Sequence, residues 1–133
     1  MAAIDTNVLV RVLVLDDRVQ HLAALRLIEA AAAAGETVFV PVSVLLESEW
    51  VLRSRYRFTK PQVLDALSQL YSVAALSFDA EQAVGVALHL YGNGKADFAD
   101  CLHVALACEA GRQPLWTFDK KAADMDGAAL LTR

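Results

Sequence analysis

Ala2-Ala3-Ile4-Asp5-Thr6-Asn7-Val8-Leu9 is the stretch on which the fold turns. A short apolar run stops in three polar residues, and an apolar segment, Val8–Leu15, resumes at once. A strand that hands over to a helix gives this pattern, and Thr6 or Asn7 can supply the helix cap. Similar punctuation recurs downstream. Thr37-Val38-Phe39-Val40 reads as a short buried strand stopped by Pro41, and Pro114-Leu115-Trp116-Thr117-Phe118 as a strand stopping at Asp119. Val73–Leu76 and Ala128–Leu131 are further strand candidates.

Helical patterns fill the intervals. One starts at Asp16-Asp17 and runs into the alanine tract Ala30–Ala34, with Gly35 placed to end it. Ser43 can cap a helix through Leu45, Trp50 and Leu52 to about Tyr56, and Thr59 another with Pro61 in its first turn. Asp79-Ala80-Glu81 begins a helix to Leu90, Gly92-Asn93-Gly94 breaks the chain, and Asp97–Ala110 is a strong helix ended by Gly111. Strands alternating with helices indicate α/β architecture with a mainly parallel sheet. The length of 133 residues suits one domain spanning 1–133.

A chain that is 56% hydrophobic and 21% charged is not disordered. It has neither a signal-peptide pattern nor the ~20 apolar residues of a membrane span, so a soluble cytoplasmic protein is expected. Cys101 and Cys108 lie seven apart in one helical pattern, about 10 Å along the axis, which is too far for a disulfide. They read as reduced packing residues, and with only His103 nearby they make a poor zinc site. Trp50 and Trp116, among apolar neighbours, read as core rather than as platforms for nucleobases.

The acids carry the chemistry. In open parallel sheets, ligands bind at the carboxyl ends of the strands, where Asp5 and Asp119 are expected. Asp97 and Asp100 share a face in the first turn of one helix, and Glu47 lies in the second turn of the helix after the 38–40 strand. Glu49 is about 200° round that helix from Glu47, and pattern alone separates the two only weakly. Each acid also has a plain structural role open to it, as a cap or a partner of the helix dipole. A joint cluster would repel itself unless cations neutralised it, and oxygen-only ligands favour Mg²⁺ or Mn²⁺ over Zn²⁺. Two such ions about 4 Å apart suit phosphodiester cleavage.

Ile4-Asp5-Thr6-Asn7-Val8-Leu9 resembles the opening of PIN-domain nucleases, where the first strand delivers a catalytic aspartate. Leu45-Leu46-Glu47-Ser48-Glu49-Trp50-Val51-Leu52 is similar to the family's second acidic segment, with the acid at Glu47. Ala96-Asp97-Phe98-Ala99-Asp100-Cys101-Leu102-His103 resembles the third, with Asp100 as the core acid and Asp97 as an extra acid common in VapC-like members. Thr117-Phe118-Asp119-Lys120-Lys121 is similar to the fourth, with Asp119 as its acid. The four motifs occur in order along the whole chain.

The resemblance implies a three-layer α/β/α sandwich and a Mg²⁺- or Mn²⁺-dependent endoribonuclease. It further implies the toxin role in a type II toxin–antitoxin pair, a VapB-like antitoxin that blocks the acidic pocket, and homodimerisation. Asp5, Glu47, Asp100 and Asp119 would be catalytic and, with Asp97, would hold the metal, supported by Thr6 and Asn7. The net charge of −4 does not oppose an RNA substrate: without those five acids, 11 remain against 12 Lys and Arg. Arg53, Arg55, Arg57 and Lys60, interleaved with Tyr56 and Phe58, are candidate RNA contacts, although such a run is often only a solvated helix end. Arg11, Lys95, Lys120 and Lys121 are candidates of similar weight.

Two other classes fit less well. A haloacid-dehalogenase-like phosphatase needs a second aspartate two residues after the first, where this chain has Asn7. A phosphotransfer receiver needs an early acidic pair after a strand, and Asp16-Asp17 does not follow one. A PIN-fold interaction module that no longer cleaves is opposed by the full set of acids.

Overall fold

The computed structural model describes residues 2–132. They fall into two compact units, one up to Asp79 and one from Ala80 onward. In the first unit, strands β1 (Ala2–Ala3), β2 (Val38–Val40) and β3 (Leu76–Phe78) form a parallel sheet in the order β1-β2-β3. Val38 is the register pivot, opposite Ala2 on one side and Leu76 on the other. Parallel neighbours require long crossovers. Helices α1 (Thr6–Leu13) and α2 (Arg18–Ala33) supply the first, and α3 (Val42–Ser54) and α4 (Lys60–Tyr71) the second.

Local chemistry explains the ends. Asp5, rather than Thr6 or Asn7, caps α1, its Oδ1 accepting from the Val8 amide at 3.0 Å. The helix therefore starts two residues earlier than expected. Asp17 caps α2, and Gly35, at φ +70°, closes it as the Glu36 amide returns to the Ala31 carbonyl at 2.8 Å. Thr59 and Gln62 form a reciprocal capping box on α4, with Pro61 in its first turn.

Helix α3 starts at Val42 with Pro41 as its cap residue, so Ser43 lies inside the first turn and caps nothing. Its buried face is Leu45, Ser48, Glu49 and Leu52, an i, i+3, i+4, i+7 stripe. Strand β3 begins where the expected strand ends, because residues 73–75 form a turn and the pairing with β2 runs from Leu76 to Phe78.

In the second unit, α5 (Glu81–Asn93) packs on α6 (Phe98–Glu109). Helix α5 runs through Gly92 and Asn93, so the expected break is confined to residues 94–97. Gly111, at φ +69°, ends α6 as predicted, with Arg112 bonding back to Ala107 at 2.9 Å. Strands β4 (Leu115–Thr117) and β5 (Ala128–Leu130) pair in parallel across the short helix α7 (Lys120–Ala123). Phe98 is almost fully buried and meets Tyr91 edge to face, with ring centroids 5.4 Å apart. Among the described residues, no helix is long and apolar enough to cross a membrane. Neither cysteine is in a disulfide among the described residues; Cys101 is buried, but Cys108 is exposed and so is not the packing residue expected.

Candidate active site

In the first unit, the carboxyl end of β1 delivers Asp5, which is exposed, while Thr6 behind it is buried. The Thr6 hydroxyl donates to Glu47 Oε1, tying the start of α1 to the second turn of α3. Asp5, Thr6, Asn7 and Glu47 line one cavity of about 420 Å³, completed by Val44, Trp50, Val51 and Arg55. Asp5 and Asn7 also reach a neighbouring cavity of about 480 Å³ between α1 and α2.

Glu47 and Glu49 have different surroundings. Glu49 is buried, and both its oxygens accept from Arg53, one at 3.0 Å. Glu47 faces the cavity. A carboxylate committed to a guanidinium one turn away is a poor donor to a cation, whereas Glu47 accepts from a neutral hydroxyl.

The candidate cations sort themselves in the same way. Arg53 is taken by Glu49. Arg11 donates to Tyr56 Oη at 2.9 Å and to Gln20 at 2.7 Å, and pairs with Asp16 at 3.2 Å. Tyr56 also donates to Asp16 at 2.6 Å, and that bond holds the Asp16 carboxyl below its usual range. Arg11 is thus an anchor of the loop between α1 and α2. Arg55 has no hydrogen-bonding or ionic partner for its guanidinium among the described residues, and it lines the cavity. Arg57 is exposed in a turn at φ 55°, and Lys60 opens α4.

In the second unit, Asp97 occupies the N-cap position of α6 and Asp100 its first turn. Asp119 caps α7, accepting from the Lys121 amide at 2.8 Å and the Ala122 amide at 3.2 Å. Lys120 is the first residue of that helix and is exposed. Burial pushes the Asp100 carboxyl above its ordinary 3.8; Asp119 and then Asp97 push the same way, while His103 opposes them. Asp100 therefore senses the charges of both other aspartates. Among the described residues, no three His, Cys, Asp or Glu side chains approach closely enough to hold one ion together. Coulomb coupling acts across several ångströms, whereas ligands must lie near 2 Å from the metal, so the two facts are compatible.

Within each unit the donor chemistry fits a hard divalent cation: carboxylate oxygens at Asp5 and Glu47 in the first, and in the second carboxylates whose repulsion at Asp100 a positive ion would relieve. A raised folded-state pKa means that folding keeps the Asp100 proton to higher pH than unfolding does. The associated stability is complete below about 3.8 and is lost as pH rises through the folded value. Asp100→Asn should therefore gain stability over the parent as pH rises from acid to neutral, in urea unfolding with EDTA present. A difference between the two proteins that does not change with pH would contradict it.

Two aromatic side chains defy the sequence reading. Trp50 is 57% and Trp116 60% exposed, so neither is core. Trp50 sits on the α3 face that carries Glu47, opposite the stripe that packs inward. The signal present in the sequence is its offset from Leu45, Ser48, Glu49 and Leu52, but the polar pair within that stripe conceals it.

Over residues 2–128 the chain matches the PIN domain family. It is also 22% identical over 93 residues to a VapC ribonuclease of Aquifex aeolicus (strain VF5), covering 70% of this chain and 69% of that protein. The family match takes in both parallel sheets up to the start of β5 and all the candidate acids, and the chain accordingly belongs to the PIN-domain family, with that family's α/β fold class.

Proposed function

We propose that this protein is a metal-dependent endoribonuclease, one PIN domain over residues 1–133, acting as the toxin of a type II toxin–antitoxin pair. The observation that carries the reading is the cavity at the end of β1, where Asp5 and Glu47 stand together and Thr6 orients the glutamate. The likeness to a VapC ribonuclease supports the same substrate class, RNA. A VapB-like antitoxin as partner, homodimerisation and a cytoplasmic site of action belong to the same proposal.

Asp5, Glu47, Asp97, Asp100 and Asp119 would hold Mg²⁺ or Mn²⁺. When bound, such ions activate water and stabilise the charge that develops on the phosphate. The chain's own contribution is positional. Asp5 and Asp119 are fixed by the helix amides that they cap, so their carboxylates stay at strand ends with little rotational freedom. The Thr6 hydroxyl locks one oxygen of Glu47 and leaves the other to act. Arg55 supplies uncommitted positive charge at the same cavity for a phosphate.

The test is cleavage of a cellular RNA pool by purified protein with Mg²⁺, with Mn²⁺ and with EDTA, alongside Asp100→Asn. Discrete fragments that vanish in EDTA and in the variant are expected. Folded, antitoxin-free protein that cuts nothing under any condition would move the assignment to a non-cleaving interaction module.

A further inference from the structure

A single exposed tryptophan is not unusual on a protein surface, and exposure alone assigns nothing to it. Trp50 differs in what surrounds it. Its indole forms part of the cavity that holds Asp5 and Glu47, and its N–H has no hydrogen-bond partner among the described residues. Arg55, whose guanidinium has no carboxylate partner among the described residues, lines the same cavity, whereas Arg53 and Arg11 are both committed elsewhere. Glu47, Val51 and Arg55 follow one another at i, i+4, i+8, with Trp50 one turn beyond Glu47. Along the helix axis, Trp50 is about 4.5 Å and Arg55 about 12 Å from Glu47. An aromatic face, an acid and a free guanidinium thus stand in a row.

We propose that Trp50 and Arg55 form a nucleotide subsite beside the carboxylates, with the indole stacking on one unpaired base of a single-stranded RNA and Arg55 holding an adjoining phosphate. The inference rests on the ribonuclease reading and adds its substrate class, because it asks for a strand with unstacked bases. Every nucleobase has a π-face, so stacking tolerates sequence while rejecting duplex, whose bases are already stacked. A peptide would also cover the indole, but the free guanidinium beside it matches a polyanion better. The half-exposed ring costs little in the free protein and gains most when a flat apolar partner closes over it.

The experiment is fluorescence anisotropy of a labelled mixed-sequence RNA, single-stranded and as its duplex, with the full chain in EDTA so that nothing is cut. The parent should prefer the single strand. Trp50→Ala should weaken single-strand binding about five- to hundredfold and leave duplex binding unchanged, and Trp50→Phe should recover most of the loss. In a Trp116→Phe protein, Trp50 is the remaining tryptophan, and its emission should be quenched by single-stranded RNA.

Equal binding by Trp50→Ala and parent, with no quenching, overturns the subsite while leaving the nuclease standing. A parent that binds no RNA and cuts none overturns both. Trp50 emission that shifts with protein concentration alone, without RNA, overturns the subsite in favour of a contact between copies of this chain.

Discussion

Asp5→Asn is expected to lower the rate of RNA cleavage roughly a thousandfold and to leave the fold intact. A cation-holding carboxylate at the reacting phosphate is worth several kcal/mol of transition-state stabilisation, and about 4 kcal/mol corresponds to three powers of ten. Asp5 has a second job, however, since its Oδ1 caps α1 through the Val8 amide. Asparagine caps about as well as aspartate, so the amide removes the charge and keeps the cap. Asp5→Ala removes both and should cost a further ~1 kcal/mol of stability, visible as a lower Tm. Single-turnover cleavage together with thermal melting separates the roles. An Asp5→Asn protein within tenfold of the parent rate would remove Asp5 from the chemistry and leave it a helix cap. Glu47→Gln is the matched control on α3, because glutamine still accepts from the Thr6 hydroxyl while losing its negative charge.

On the proposed reading Asp5 is both a helix cap and a cation ligand, and that double demand explains why it is legible. A strand of two residues must hand its chain direction to a helix at once, and Asp5 stands at the position whose side chain reaches the Val8 amide. Asp119 repeats the device between β4 and α7. At such junctions the local amide chemistry and the site chemistry select the same residue type, so sequence reading finds both together. The strand at 73–76 shows the opposite case. Val73, Ala74, Ala75 and Leu76 are all compatible with a strand, but the pairing partner decides the register, and β2 accepts only Leu76–Phe78. Pairing is a tertiary property that no local pattern contains.

Helix α3 is hard to read for a different reason. Apolar residues occur on most sides of it, so hydrophobic periodicity has no single direction to point in. The inward stripe includes Glu49, a residue type rarely buried unless paired, and Arg53 provides that pair. Once Glu49 goes in, Trp50 and Glu47 must face the other way, because they lie about 100° and 200° from it around the helix. The burial of one acid thus both frees Glu47 for the cavity and displaces Trp50 from the core.

Phe98→Ala should be the most damaging single substitution to stability, costing about 3–5 kcal/mol. Phe98 is 1% exposed and is the largest of the fully buried side chains, and its contact with Tyr91 is worth more than area alone. Against a typical total of about 5–15 kcal/mol, that loss removes roughly a fifth of the margin or more. The effect is also functional by position, since Phe98 is the first residue of α6, between Asp97 at the cap and Asp100 two residues on. Losing the ring loosens the turn that presents both carboxylates. Urea unfolding should therefore show a lower midpoint at unchanged slope. Cleavage measured where the variant is still folded should fall as well. Phe98→Leu keeps most of the apolar volume and should retain most of both. A Phe98→Ala protein within about 1 kcal/mol of the parent would mean that α5 and α6 are held by their other contacts, and that the acids of α6 owe their placement to the backbone alone.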